Sequence, residues 1–205
     1  STTATVRDSD FTVTNDNNNA IRVDDGKLVI GSSNVAPTLN SNYAGSSGSK
    51  ATSTEINLQG NNNNGIIVKA GKAELTRVVM NTGIGRFNNG VVNNGGATAD
   101  TVTDTNSAIT IGGTDSNGFY QKGAGSSTLN GTQIIVNGTN NNGIRVSDGT
   151  LNTNLSGRAA GGLTRGNITV GGTNNNGIFL DDSTNDITAN IAQTNISVNS
   201  TTGIG

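Results

Sequence analysis

Apolar residues along this chain come in short runs of period two rather than in helical spacing. One set reads Phe11-Thr12-Val13, Ile56-Asn57-Leu58, Ile109-Thr110-Ile111, Ile134-Ile135-Val136, Ile168-Thr169-Val170 and Ile196-Ser197-Val198. A second set follows each of these: Ile21-Arg22-Val23, Ile66-Ile67-Val68, Phe119-Tyr120-Gln121, Ile144-Arg145-Val146 and Ile178-Phe179-Leu180. A third, weaker set includes Leu28-Val29-Ile30, Ala73-Glu74-Leu75, Leu151 and Ile187. Alternation of this kind places the outer two residues of each triplet on one face and the middle one on the other. The inward face of the first two sets is then almost wholly Ile, Val, Leu and Phe, with Gln121 the clear exception. No segment sustains a 3.6-residue apolar period, so little helix is expected.

Between the first and second strands lies a repeated polar block. It is Asn62-Asn63-Asn64-Gly65-Ile66, Asn140-Asn141-Asn142-Gly143-Ile144 and Asn174-Asn175-Asn176-Gly177-Ile178, with altered copies at Asn17–Ile21 and Ser116–Phe119. Thr82-Gly83-Ile84 and Thr202-Gly203-Ile204 read as shortened copies. After the second strand comes an acidic or glycine turn, as in Asp24-Asp25-Gly26, Ala70-Gly71 and Asp148-Gly149. Self-similarity at intervals of this size marks a solenoid, in which each unit shares its core with its neighbours. The expected fold is all-β, a right-handed parallel β-helix of about seven or eight coils, with 1–205 as a single segment. Uneven spacing of the copies places loop insertions at 32–53, 85–106 and 156–166. Neither end shows a polar cap, which points to part of a longer rod or to a chain stacking on a neighbour.

Composition narrows the function. With 31% hydrophobic and 3% aromatic residues, the chain suits the thin apolar column of a solenoid better than a two-layer domain. A formal net charge of -2 and scattered basic residues argue against nucleic acid as a partner. No run approaches the roughly 20 apolar residues that span a bilayer, so direct membrane insertion by this segment is not expected. The absence of Cys removes disulfides and thiolate metal sites, and the absence of His removes the commonest general base.

Three groups of residues carry candidate chemistry. Asn19, Asn64, Asn117, Asn142 and Asn176 hold one position of the polar block, where Asn suits a turn and can form a stacked amide ladder. Asp24, Asp148 and Asp181 sit in the acidic turns and are weak candidates for metal or for paired carboxylates. Lys69 and Lys122 interrupt that series, and Asp-Gly is itself an ordinary turn pair. No cofactor is expected. The outward middle positions form two rows. Thr12, Asn57, Thr110 and Thr169 give a polar, uncharged row on the first strands. Arg22, Ile67, Tyr120, Arg145 and Phe179 give a mixed cationic and apolar row on the second, a composition favoured at interfaces.

The Asn-Asn-Asn-Gly-Ile-x-Val style of repeat, without Cys and with few charges, resembles the passenger domains of bacterial autotransporters of the self-associating adhesin type. That resemblance implies a right-handed β-helix displayed at the bacterial cell surface, pairing with identical rods or binding a host-cell protein or glycan through outward residues. A non-enzymatic adhesion segment is therefore the leading expectation. The alternative is a polysaccharide-active or polysaccharide-binding β-helix of the lyase or tailspike kind, which requires Asp24, Asp148 and Asp181 to converge. Ice binding by the Thr-rich row is disfavoured because Asn57, Ile135 and Ser197 break its regularity.

Overall fold

The computed structural model describes residues 2–33, 54–155, 166–181 and 186–199. Strands β1 (Thr3–Arg7), β2 (Asp10–Val13) and β3 (Asn19–Val23) form the first coil, and β4 (Lys27–Gly31), β5 (Thr54–Leu58) and β6 (Asn64–Val68) the second. The third is β7 (Lys72–Thr76), β8 (Val78–Asn81) and β9 (Asn89–Asn93), and the fourth β10 (Thr101–Thr105), β11 (Ala108–Ile111) and β12 (Asn117–Gln121). The fifth is β13 (Ser126–Asn130), β14 (Gln133–Val136) and β15 (Asn142–Val146). The sixth is β16 (Gly149–Asn154), β17 (Ile168–Val170) and β18 (Asn176–Leu180), and β19 (Ile187–Ala192) and β20 (Ile196–Val198) belong to the seventh. Corresponding strands stack in parallel into two seven-stranded sheets and one six-stranded sheet. The described residues form a parallel β-helix of seven coils, the seventh represented by two strands.

In-register stacking turns each inward position into a column. Phe11, Ile56, Met80, Ile109, Ile134, Ile168 and Ile196 line one sheet, and Ile21, Ile66, Val91, Phe119, Ile144 and Ile178 another. The middle coils are buried completely, Phe119 among them, because each has a neighbour above and below.

Residues 85–106 are not an insertion. They contain β9 and β10, the last strand of the third coil and the first of the fourth. The register pairs Ile66 with Val91, not with Ile84, which is 94% exposed. Ile84 is an extra residue bulged out of the third coil's turn, and the short Thr82-Gly83-Ile84 sequence mimicked the start of a second strand. Apart from Ser32, Ser33 and Gly166, the insertions at 32–53 and 156–166 lie outside the described residues, as does Thr202-Gly203-Ile204.

The glycine that ends each Asn block answers to stacking distance, not to backbone angle. A Cβ on Gly118 would stand 2.7 Å from the Gly143 carbonyl oxygen and 2.7 Å from Ile111 Cδ1. Gly65, Gly90 and Gly143 meet the next coil's carbonyl in the same way. Close approach of two backbones leaves no room for a side chain. Gly118→Ala should therefore destabilise the rod by about 2 kcal/mol, the usual overpacking range, in a guanidinium titration.

Candidate functional site

The three asparagines of the repeated block have three different tasks. The first takes a left-handed backbone: φ is 54° at Asn62, 55° at Asn140 and 53° at Asn174, and Asn17 and Asp115 match them. Asn and Asp tolerate that region better than other residues with a side chain. The second points inward. Asn63, Asn88, Asn141 and Asn175 are fully buried, and each Oδ1 accepts a backbone N–H from the preceding coil: Asn18, Asn63, Ser116 and Asn141 respectively. Their amide nitrogens donate to turn carbonyls, such as Asn137 O from Asn141 and Gly171 O from Asn175.

The third asparagine faces outward and forms a ladder. Asn64 donates to Asn19, Asn89 to Asn64, Asn117 to Asn89, Asn142 to Asn117 and Asn176 to Asn142, at 2.7 to 2.9 Å. All five Nδ2→Oδ1 bonds run the same way along the rod. Asn89 is the rung that the sequence pattern did not pick out, because its block begins with Phe87 in place of Asn.

Beside the ladder runs the outward row of the six-stranded sheet. It reads Arg22, Ile67, Val92, Tyr120, Arg145 and Phe179 in consecutive coils, with Val92 filling the gap left by the misplaced third coil. The Arg145 guanidinium lies 4.8 Å from the Tyr120 ring centre and 6.0 Å from that of Phe179. Arg145 also pairs with Asp181, and the Ser147 hydroxyl donates to the Tyr120 oxygen at 3.2 Å. Arg22 pairs with Asp24 at 2.7 Å on an exposed part of the first coil. On the neighbouring sheet the row is Thr12, Asn57, Asn81, Thr110, Ile135, Thr169 and Ser197.

The acidic turns do not converge. Asp24 and Asp181 occupy one column, with Lys69, Asn94, Lys122 and Ser147 between them. Five coil steps at about 4.8 Å separate them by roughly 24 Å, against about 5–10 Å for a glycosidase pair. Asp148 falls one residue later, aligned with Asp25, and each accepts the N–H of the following glycine. Among the described residues no group of three acidic side chains is placed to hold a metal ion.

A depression of about 330 Å³ opens on the six-stranded sheet over coils two to four. It is lined by Ile67, Val92 and Tyr120 of the outward row, by Asn64 and Asn89 of the ladder, and by Lys122. Phe87 is also in the lining, and the Arg86 guanidinium lies 5.0 Å from its ring centre. Phe87 has φ 58°, in the column where other coils use Asn or Asp, and it is 48% exposed. An αL conformation at an aromatic residue is an outlier, with a cost of about 1–2 kcal/mol.

Two polar networks interrupt the apolar column. Gln121 is fully buried, donates to Gly123 O at 2.6 Å and accepts from Ser127 Oγ at 2.5 Å; Asn93, one coil earlier, donates to the same Ser127 oxygen. The exception seen in the sequence is thus an inward residue whose hydrogen bonds close on its own turn. Asp104 stands between Leu75 and Leu129, fully buried, and accepts from the Ser107 and Thr132 hydroxyls. Burial raises its carboxyl from 3.8 to about 6, although those hydroxyls oppose the shift.

The chain matches no family model, no curated protein and no solved structure. Among the described residues no helix is long and apolar enough to cross a membrane.

Proposed function

We propose that this chain is a non-enzymatic adhesion or self-association segment of a β-helical rod, displayed outside the cell and acting through the outward row of its six-stranded sheet. The observation that supports this reading is the stacked series Tyr120, Arg145 and Phe179. Tyr and Arg are the residues that most often dominate interface energetics. Arg145 is held in advance by two rings and Asp181, so little side-chain freedom is lost when a partner docks. Arg22, paired only with Asp24 at an exposed position, ranks below it. The uncharged ladder alongside offers a second rod an even row of amides to pair with. The polysaccharide-active alternative is less favoured because Asp24 and Asp181, two of the carboxylates it calls on, stand five coil steps apart.

Beads coated with the segment should aggregate, and the Tyr120→Ala/Arg145→Ala double variant should do so at least about tenfold more slowly, with Arg22→Ala changing the rate less than about twofold. Aggregation indifferent to the double variant would move the contact to another face. Absence of both bead aggregation and cell binding would remove the function.

A further inference from the structure

The depression over coils two to four has features that rod pairing does not require. Phe87 breaks the turn rule that every equivalent residue obeys, and the ring so displayed lines the depression. A strained residue kept at a cleft is a pointer to function. The Tyr120 ring, Ile67 and Val92 share that lining. Asn64 and Asn89 each use one N–H and one carbonyl lone pair in the ladder. An amide has two of each, so every rung keeps one donor and one acceptor for a ligand, repeated at about 4.8 Å. Lys122, also in the lining, makes no ion pair with any described residue, and its ammonium lies 6.0 Å from the Tyr120 ring centre.

We propose that this depression binds a carboxylated sugar ring of an acidic glycan. The C–H face of a pyranose packs on the Phe87 and Tyr120 rings, adjacent hydroxyls meet the spare donor and acceptor of Asn64 and Asn89, and the carboxylate meets Lys122. The volume is at the lower end of small-molecule sites, which suits one or two sugar units. A purely apolar ligand would leave the amides unpaired, and a divalent cation would find no carboxylate in the lining.

The test uses a galacturonate trisaccharide and its neutral galactose counterpart as probes, followed by saturation-transfer NMR and titration calorimetry. Phe87→Asn restores the residue type of the other coils, so folding is kept; it should weaken the acidic probe about tenfold. Lys122→Gln should weaken the acidic probe about fivefold and leave the neutral one unchanged. Phe179→Ala, in the proposed rod contact but outside the lining of the depression, should keep sugar binding, while Phe87→Asn should keep rod association by sedimentation. Sugar binding and rod pairing can therefore fail separately. Saturation transfer to neither sugar, or equal affinity in the wild type and Phe87→Asn, would overturn the site. Loss of both probes to the same extent in Lys122→Gln would overturn the assignment of its carboxylate.

Discussion

Asn141→Leu is expected to destabilise the rod by about 3 kcal/mol, because leucine fills the volume but strands a buried N–H at about 1–3 kcal/mol and removes the amide's bonds to turn carbonyls. The Ser116 N–H loses the Asn141 oxygen at 2.7 Å, and the Asn137 carbonyl loses an amide donor. The Ser116 N–H sits where water does not reach, since Ser116 and Asn141 are fully buried, whereas the Asn137 carbonyl belongs to an exposed residue and can turn to solvent. Asn142→Ala, one residue later, removes a ladder rung from a half-exposed position and should cost only about 0.5–1 kcal/mol. Guanidinium titration compares the two. Because stacked repeats need not unfold in one step, amide exchange at Ser116 supplies a local readout, and it should accelerate in Asn141→Leu alone. Equal losses from the two variants would show that the ladder, not the inward column, secures the turn.

That contrast also explains what could be read from the chain. Period-two triplets and the Asn blocks disclosed five of the six outward rungs and most of the inward columns, since hydrophobic alternation dictates which face a strand residue takes. The third coil escaped because it breaks each local cue at once. Its turn carries the extra Ile84, Phe87 replaces the left-handed Asn, and Val91-Val92-Asn93 ends in an inward polar residue. Once that coil was displaced, Asn81, Asn89 and Val92 fell out of their rows and a false insertion appeared at 85–106. The candidate cleft was hidden for the same reason, being built around Phe87. Likewise Asp104 reads in sequence as a polar strand residue. Only the register with Leu75 and Leu129 reveals that it points inward.

Asp104→Asn should stabilise the protein at neutral pH, an outcome opposite to that of most Asp losses from a hydrogen-bonded site. The Asp104 carboxyl titrates at about 6 in the fold, above its ordinary 3.8, because burial penalises the ion. Below 3.8 the group is protonated whether the chain is folded or not, and it imposes no penalty. As pH rises from 3.8 to about 6 the unfolded chain gives up its proton first, so stability falls across that window and stays lowered above it. The gap between the two values is worth up to about 3 kcal/mol. Asparagine places Oδ1 toward the Ser107 hydroxyl and Nδ2 toward the Thr132 oxygen, keeping both contacts without a charge. The stability gain of Asp104→Asn should then be near zero at pH 3.5 and grow to as much as about 3 kcal/mol at pH 7. Asp8, whose carboxylate is held low by the Ser33 hydroxyl and N–H, pulls the profile the other way but cancels in the difference between the two proteins. A gain independent of pH would place its origin in packing, and a loss at pH 7 would mean that the two hydroxyls require the ionised carboxylate.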